Sequence, residues 1–512
     1  MKNLKGNIIF AIVFQLFLII PDFIINFFWK QYHTFMVTDT IKELIITFLL
    51  GLIISYLPKK YKFIFGGSFI LMGFIQIVYF GYFRSYLEPY QIGLVFSEYN
   101  DILISLNAVY DLIIISIFIG IIFLMVINSL NKITQTNKHS IKILLSIFLV
   151  FPFIVKNNTP AYTPENSHFS YINTYFATNL YIANLLKQKK LLPIKKYEVK
   201  KIDNGKPIVL LIIGESLNYK RMNLFGWELN NTPNLNNLKN DKNFIYKKAI
   251  SSGVNTPVSV NSIFNLKREP WKLSQQDNLI KLANNNGYST YWYSMQKDSG
   301  GKIGAVCFYA KQFKEQKDYK RRYDDELLKD LKNIDFSKKS FVVLHFRANH
   351  SPYEKYTPNS FYKWKFNYND YHKKAYFSYM DSVLYIDKVL SDIITYMKNN
   401  HKNFVIYFIS DHAEMLGFKE ENGKYGHSKL DINVATIPFL YYSDKYQKPF
   451  TKKIYNQYLI SKMVANDLGY KVINPNEKGD LYYINNVKLD GSGGWIEYNL
   501  SNPFQNYKKE NL

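Results

Sequence analysis

Residues Phe404–Met415 read FVIYFISDHAEM. The run from Phe404 to Ile409 is apolar, β-branched or aromatic, which is typical of a buried β-strand. The run ends in Asp411 and His412, two adjacent residues that can each bind a divalent metal. Because open α/β sheets present their sites at the carboxyl ends of strands, this stretch predicts an α/β domain with a metal site at one rim of its sheet.

Similar apolar runs occur on both sides of this stretch, from Lys206 onward. Apolar strand-length runs alternate with helical patterns, which predicts a largely parallel sheet covered by helices on both faces. The candidate strands are Pro207–Ile213, Tyr288–Ser294, Phe341–Phe346, Phe404–Ser410 and Pro438–Tyr442. The candidate helices are Asp277–Asn286, Asp324–Leu331, Ala375–Asn399 and Tyr455–Leu468.

The first 156 residues have a different composition, dominated by Ile, Phe and Leu. A bilayer is spanned by about 20 apolar residues, and the two shorter segments here could instead be buried helices. We expect all of them to span, because so apolar a region leaves almost no polar surface to cover a soluble core. The five apolar segments are Ile8–Trp29, Leu44–Leu57, Phe63–Phe83, Leu112–Leu130 and Ile143–Val155.

The lysines of the short loops predict the orientation of this bundle. They precede the first segment and separate the second from the third and the fourth from the fifth, so these loops should be cytoplasmic. The first segment has no small-residue cleavage site and should remain as an anchor. We therefore predict a transmembrane domain at 1–156, an amphipathic bridge at 157–205 and a soluble domain outside the cytoplasm at 206–512. The loop Arg84–Tyr110 is either an interfacial substrate pocket or a packed connector.

The chain of 512 residues carries a formal net charge of +24 and one cysteine, Cys307. The charge suits anionic lipid head groups. No nucleic-acid module is recognisable, so nucleic acid is not the expected partner. A single cysteine excludes an intramolecular disulfide and zinc sites built from several cysteines.

Polar residues also follow other candidate strands. Glu215 ends the first, and His350 lies just beyond the third. Carboxyl ends of parallel strands converge, so these residues could meet Asp411 and His412. Two carboxylates and an imidazole suit zinc or manganese. For Glu215 alone, capping of the next helix is an alternative explanation.

The stretch Ala249–Phe264 is rich in hydroxyl groups and supplies a candidate nucleophile. Thr256 followed by Pro257 is typical of a helix N-cap. A hydroxyl at such a position also lies where backbone N–H groups attract phosphate. A metal beside that oxygen would lower its pKa and let it attack phosphorus.

These motifs resemble a known family. The segment Gly214–Leu235, which begins with GES, is followed by TPVSV, NHSPY, SDHAEM and YGHS. Together they are similar to the phosphoethanolamine transferases of Gram-negative bacteria, inner-membrane enzymes of the alkaline phosphatase and sulfatase superfamily. The resemblance covers the α/β domain, and the five-helix layout agrees with it.

The resemblance implies a role for each matching residue. Zinc would be bound by Glu215, Thr256, Asp411 and His412, and Thr256 would carry phosphoethanolamine taken from phosphatidylethanolamine. His350 and His427 would hold phosphate or act as general acid or base. The segment SGGK, with Ser299 and Lys302, would line the substrate site. The acceptor would be lipopolysaccharide or lipooligosaccharide, and we expect a monomeric, multi-pass protein of the bacterial inner membrane with a periplasmic catalytic domain.

Departures from the family pattern leave the acceptor open. A glycine stands at the family's first cysteine, Cys307 lies near the second, and Ala413 replaces a glycine. Lipid A phosphate, a core sugar and another surface glycan remain possible acceptors. The alternative activity is phosphoglycerol transfer of the lipoteichoic acid synthase type, and a non-catalytic receptor is the alternative outside enzymes. A sulfatase activity is disfavoured because no formylglycine motif surrounds Cys307.

Overall fold

The structure is a computed structural model. It describes most of the chain, and the ranges are as follows: 2–29, 37–89, 91–92, 106, 109–137, 139–142, 146, 168–186, 197–269, 278–296, 305–319, 323–364, 371–445, 450–477, 479–487, 493–505 and 507–510. The chain divides into two compact units, one formed largely by residues 1–188 and the other largely by residues 189–512.

The first unit is helical. Its helices include α1 (Lys2–Trp29), α2 (Val37–Ser55), α3 (Lys59–Phe83), α4 (Tyr110–Leu130) and α5 (Ser170–Leu186). Within the described residues, three helical stretches are long and apolar enough to cross a membrane: Leu4–Trp29, Lys59–Phe83 and Tyr110–Leu130. Many of their large side chains point outward, such as Phe27 at 81% exposure, as expected for surfaces that face lipid rather than water.

The predicted count of five spans remains a prediction. The second candidate lies mostly within α2, which is not among the three stretches long and apolar enough. The fifth, Ile143–Val155, falls outside the described residues apart from Ser146. Most of the loop Arg84–Tyr110 also falls outside them.

Helix α5 begins on two buried carboxylates of the first unit. The backbone N–H of Ser170 donates to Asp22 of α1 at 3.0 Å, and the Ser170 hydroxyl donates to the same carboxylate at 2.8 Å. Glu43 of α2 accepts the N–H of Phe169 at 2.7 Å and contacts the His168 ring. Because the first N–H groups of a helix have no partner within it, the two carboxylates satisfy donors that would otherwise be buried and unpaired. Within the predicted amphipathic bridge, Ser170–Leu186 is thus helical, and the first turn of this helix is buried in the first unit.

The second unit is an α/β domain. Its helices are α6 (Pro233–Asn237), α7 (Thr256–Asn265), α8 (Leu279–Asn285), α9 (Ala305–Ala310), α10 (Glu326–Leu331), α11 (Tyr371–Asn400) and α12 (Gln457–Asp467). Its strands are β1 (Glu198–Lys201), β2 (Ile208–Gly214), β3 (Phe244–Ile250), β4 (Ser289–Ser294), β5 (Glu315–Asp318), β6 (Ser340–His345), β7 (Phe404–Ser410), β8 (Met415–Leu416), β9 (Tyr425–Gly426), β10 (Thr436–Ser443), β11 (Ile454–Asn456), β12 (Tyr470–Ile473), β13 (Leu481–Asn485), β14 (Trp495–Asn499) and β15 (Tyr507–Glu510).

The main sheet has the strand order β11-β3-β10-β7-β2-β6-β4-β5. The five strands from β7 to β5 are parallel, as the sequence predicts. Strand β10 differs, because it runs antiparallel to both β7 and β3. The chain after β7 stays at the rim, where Ala413 N–H donates to the Val434 carbonyl at 2.7 Å, so β10 starts at that rim and runs back. The sheet is therefore mixed.

Both faces of the central strands are buried, which explains their continuous apolar sequences. In β2, Val209, Leu211 and Ile213 join one hydrophobic cluster together with residues of α7, α8 and α12. Ile208, Leu210 and Ile212 join a second cluster on the opposite face, together with α11. The parallel strands thus deliver their carboxyl ends to one rim, between two helical layers.

Upstream of Lys206, β1 pairs antiparallel with β12. Smaller pairings are β8 with β9, and the three-stranded sheet β13-β14-β15. The predicted domain boundaries themselves stay predictions.

Candidate metal and phosphoryl-transfer site

Three predicted ligands meet at the rim of the sheet. Glu215 follows β2, and Asp411 and His412 follow β7, its neighbour in the sheet, with Gly214 opposite Ser410. Their ligand atoms all lie within 4.8 Å of one another. All three side chains are buried, with exposures of 1%, 0% and 0%. Convergence of adjacent parallel strands thus brings together residues that are about two hundred positions apart in the chain.

One oxygen of the Asp411 carboxylate is hydrogen-bonded, and among the described residues the other is not. Asp411 Oδ1 accepts the backbone N–H groups of Ser216 at 3.0 Å and His412 at 2.7 Å. Asp411 Oδ2 is buried and accepts no hydrogen bond within the described part of the chain. The backbone conformation here is unusual, since Ser216 has a φ of 53°. An orphaned buried carboxylate oxygen is costly, so it points to a cation as the missing partner.

Thr256 completes the cluster from a third element. Its Oγ1 donates to Glu215 Oε2 at 3.2 Å and lies 3.4 Å from His412 Nε2. The sequence predicted Thr256 as the cap of its helix, and this is wrong. Asn255 is the cap, since its side chain accepts the N–H of Val258, and Thr256 is the first residue of α7. Both residue types are good caps, and Asn255 takes the role with an extended backbone, which leaves the Thr256 hydroxyl free to face the carboxylates.

The electrostatics of the two carboxylates, Glu215 and Asp411, agree with a cation site. Burial alone would raise the pKa of Glu215, but the imidazoles of His412, His350 and His427 lower it to about 2. Burial and the neighbouring Glu215 carboxylate raise the pKa of Asp411. Two carboxylates held this close repel each other, and a divalent cation between them would remove the repulsion.

The donor set itself fits a divalent metal. It offers two carboxylates, an imidazole and a hydroxyl, and zinc and manganese both accept oxygen and nitrogen ligands. Glu215, Asp411, His412 and Thr256 are the residues that would hold the ion. His412 Nε2 lies 3.4 Å from both Glu215 Oε1 and Asp411 Oδ2, so its ring nitrogen faces the same point as the carboxylates.

His427 lies beside this cluster. Its ring centroid is 4.3 Å from that of His412. Its Nδ1 contacts Glu414 Oε2 at 2.9 Å, and Glu414 is 4% exposed. A carboxylate on Nδ1 fixes the orientation of an imidazole and leaves Nε2 for another partner. Glu414 was not identified from the sequence, although it lies within the SDHAEM motif.

His350 is among the imidazoles that lower the pKa of Glu215. Its Nδ1 lies 2.6 Å from the Ser351 carbonyl oxygen. The other two predicted substrate-site residues, Ser299 and Lys302, fall outside the described residues.

Several polar residues that sequence reasoning missed hold the ligands in place. Gln296, just after β4, donates from Nε2 to Glu215 Oε2 at 2.7 Å and to the Phe346 carbonyl at 3.1 Å. Gln457, the first residue of α12, donates to the Asp411 carbonyl at 2.6 Å and accepts the N–H of Ser252 at 2.8 Å. The position of Gln296 at a strand end was the available signal, whereas Gln457 offered none.

The loop between β3 and Thr256 is tied to the ligand segment. The Ser251 hydroxyl donates to the Asp411 carbonyl at 2.5 Å. Gly253 leaves no room for a side chain, because a Cβ there would lie 2.7 Å from Val258 Cγ1 and 2.8 Å from the Ser259 nitrogen. The hydroxyl-rich stretch thus supplies both the candidate nucleophile and its support.

Known proteins resemble this chain over the α/β domain that carries the site. Residues 207–470 match the family model described as Sulfatase. The Kdo(2)-lipid A phosphoethanolamine 7''-transferase of Escherichia coli K12 is 25% identical over 246 residues, which are 44% of this chain and 43% of that protein. Phosphoethanolamine transferase EptC of the same strain is 24% identical over 349 residues, 60% of each chain. The chain thus spans about half of the length of these curated relatives.

Two solved structures share the fold. The periplasmic domain of Escherichia coli EptC, in complex with Zn, has a TM-score of 0.50 and 22% identity and covers 58% of this chain and 94% of that one. The integral membrane lipooligosaccharide phosphoethanolamine transferase A of Neisseria meningitidis has a TM-score of 0.60 and 16% identity and covers 91% of this chain and 94% of that one. The family model matches more than half of the chain, so this protein belongs to the sulfatase family, and the relatives found within it are phosphoethanolamine transferases.

Proposed function

We propose that the protein transfers phosphoethanolamine from phosphatidylethanolamine to a lipopolysaccharide or lipooligosaccharide acceptor, with Thr256 as the nucleophile. The observation that carries the proposal is the position of the Thr256 hydroxyl, 3.2 Å from Glu215 and 3.4 Å from His412 in a buried cluster of metal-ligand residues. The names of the curated relatives supply the substrate class.

The reaction has two displacements at phosphorus. In the first, Thr256 Oγ1 forms a bond to the donor phosphorus, and the bond to the diacylglycerol oxygen breaks. In the second, an acceptor oxygen attacks the same phosphorus and Thr256 is released. A bound zinc or manganese ion would act as a Lewis acid and favour the ionised threonine hydroxyl.

The chain's own residues would handle the protons. The proton of Thr256 points to Glu215 Oε2, the atom to which Oγ1 donates. His427, oriented by Glu414, or His350 would protonate the leaving diacylglycerol oxygen and later deprotonate the acceptor. Gln296 and Gln457 would keep the carboxylate and the backbone of the ligand segment in register for both steps.

The membrane-like first unit supports a lipid donor. Three apolar stretches long enough to span suit a protein that is held at a bilayer and acts on lipid. Together with the lysine-rich short loops, they support an inner-membrane location with the α/β domain in the periplasm. The five-span topology and a monomeric state complete this proposal.

The test is the Thr256→Ala variant. We expect transfer to be abolished and metal binding to be weakened but retained, because three other ligands remain. Intact-protein mass spectrometry of wild type with phosphatidylethanolamine, without acceptor, should show a phosphoethanolamine adduct that Thr256→Ala lacks. Thr256→Ser, which keeps the hydroxyl, is the matched control and should still be loaded.

Lipopolysaccharide from cells with and without the protein identifies the product. An added phosphoethanolamine mass supports the proposal and locates the acceptor. An added phosphoglycerol mass would instead support the alternative activity, phosphoglycerol transfer. Wild-type levels of modification in cells that carry Thr256→Ala would show that Thr256 is not the nucleophile.

A further inference from the structure

Among the described residues, the guanidinium of Arg347, which follows strand β6, has no hydrogen-bond partner. Within the described part of the chain, Arg84 donates to backbone carbonyls, and Arg221 and Arg268 bind carboxylates. The Arg347 side chain makes neither a hydrogen bond nor an ion pair there, and its Nε is buried. The group does lie against a ring, with its central carbon 4.3 Å from the centroid of Tyr356. The guanidinium is thus held against the ring, and no described residue accepts its N–H groups.

A second cation shares this ring. The Lys355 ammonium is 5.4 Å from the Tyr356 centroid. Lys355 is exposed and has no ion pair among the described residues. The carboxylate next to it, Glu354, binds Lys374 instead at 3.0 Å. Both cations lie against one ring, and neither has an ion-paired carboxylate among the described residues, so an anion beside them would be bound favourably.

The position of these cations ties them to the catalytic rim. Strand β6 pairs in parallel with β2, with His345 opposite Ile213, so Arg347 lies two residues beyond that pair, as Glu215 does. One amide joins the two segments, because Gln296 Nε2 donates both to Glu215 Oε2 and to the carbonyl that precedes Arg347. The backbone just before Arg347 is therefore joined to the metal cluster through one amide.

His350, a candidate general acid or base, also packs against the Tyr356 ring. Its N–H closes a turn on the Arg347 carbonyl at 3.0 Å. Its ring stands perpendicular to that of Tyr356, with centroids 6.1 Å apart. One aromatic side chain, itself 4% exposed, thus positions a guanidinium, an ammonium and an imidazole.

We propose that Arg347 and Lys355, held on Tyr356 beside His350, form an anion site that binds a phosphate group of a substrate during transfer. The planar guanidinium suits bidentate contact with phosphate, and the lysine adds a point charge. The phosphate belongs either to the lipid donor or to the acceptor glycolipid. This inference rests on the proposed transferase function.

The experiment separates the two half-reactions in the metal-loaded, full-length protein in detergent. Loading is the rate of phosphoethanolamine attachment to Thr256 from phosphatidylethanolamine alone. Transfer is followed from the loaded protein to a phosphorylated acceptor and to the same acceptor without its phosphate. The variants are Arg347→Gln, Lys355→Gln and Arg347→Lys. Lys332→Gln is the matched control, since its ammonium lies 5.7 Å from the Tyr396 ring but not at the rim.

We expect Arg347→Gln to raise KM by about 10- to 100-fold in one half-reaction, with a smaller change in kcat. Lys355→Gln should have a smaller effect, and Arg347→Lys should recover part of the loss. A loss in loading assigns the site to the donor phosphate. A loss in transfer that is confined to the phosphorylated acceptor assigns it to the acceptor phosphate.

The inference is overturned if Arg347→Gln changes neither half-reaction by more than Lys332→Gln does. It is also overturned if Arg347→Gln slows transfer to the phosphorylated and the dephosphorylated acceptor equally while loading is unchanged. A wild-type protein that is never loaded would instead contradict the proposed function. In that case, titration with inorganic phosphate tests the cations alone, with binding expected in wild type and lost in the Arg347→Gln variant.

Discussion

The two units of the protein bury carboxylates in opposite ways. In the first unit, Asp22 and Glu43 accept backbone N–H groups where α5 begins. In the second, Glu215 and Asp411 face each other, and Asp411 Oδ2 accepts no hydrogen bond from the described residues. The first arrangement stabilises a helix end, whereas the second stores repulsion that a cation would relieve. Burial alone therefore does not mark a functional carboxylate, but an unsatisfied oxygen beside a like charge does.

The largest expected effect follows from breaking the second arrangement. Asp411→Asn removes one charged ligand, so we expect metal to be lost and transfer to fall by more than about 100-fold, the upper range for residues outside the ligand set. The metal-free variant should be at least as stable as metal-free wild type, because the repulsion with Glu215 is gone. Elemental analysis and thermal unfolding with and without chelator measure both.

A chelator should lower the Tm of wild type and leave that of Asp411→Asn unchanged. Asp22→Asn, which changes a carboxylate of the first unit, should keep the wild-type metal content. Full metal occupancy in purified Asp411→Asn would contradict the assignment of the site.

A smaller effect is expected from the amide that satisfies Glu215. Gln296→Leu removes the donor to Glu215 Oε2 and to the Phe346 carbonyl, so the ligand loses its fixed orientation. We expect metal affinity or transfer to fall by about 10- to 100-fold. Gln316→Leu on the edge strand β5 is the matched control, and equal losses in both variants would argue against a positioning role.

In the first unit the change is expected in stability and not in chemistry. Asp22→Ala removes the acceptor of the Ser170 N–H and hydroxyl, which costs about 1–3 kcal/mol for buried donors left unpaired. Unfolding in detergent, followed by protease cleavage within α5, measures it. Asp111→Ala, an exposed carboxylate of α4, should be near neutral. Loss of metal in Asp22→Ala would contradict the separation of the two roles.

The last effect, which appears only as a dependence on pH, concerns a third kind of buried carboxylate. Asp324 accepts the N–H groups of Arg347 and Ala348, yet burial raises its pKa to about 7. The native state then binds a proton more tightly than the unfolded state, whose Asp titrates near pH ~3.9. Stability from this group is complete below that pH and is lost as the pH rises through about 7.

Asp324→Asn should flatten this part of the pH dependence, as measured by denaturant unfolding at pH values on either side of the transition. Asp335→Asn, at an exposed position, should leave the slope as in wild type. An unchanged slope in Asp324→Asn would show that folding does not raise the pKa of Asp324.

Sequence could predict what is encoded in continuous apolar runs. Strand β7 has the predicted bounds, Phe404–Ser410, and four other strands differ by one or two residues at their ends. The direction of β10 could not be predicted from sequence. It depends on whether the chain after β7 stays at the same rim of the sheet or crosses to the opposite one. Strand β1, with the sequence EVKK, has too little apolar character to indicate its pairing with β12.

The metal cluster was predictable in part for a similar reason. Asp411, His412 and Glu215 end apolar strands, and strand ends converge. Three supporting residues act through hydrogen bonds to other parts of the chain: Gln296, Glu414 and Gln457. No local sequence pattern predicts such hydrogen bonds. The choice between Asn255 and Thr256 as helix cap was likewise hidden, because both side chains suit the role and the backbone decides.

That cap has an evolutionary consequence. Because Asn255 starts α7, the side chain at position 256 contributes nothing to the capping of its own helix. Serine or cysteine could replace threonine there with little loss of folding free energy. Mutation could therefore exchange one attacking group for another while the scaffold remained intact, so new chemistry at this rim is accessible by single substitutions.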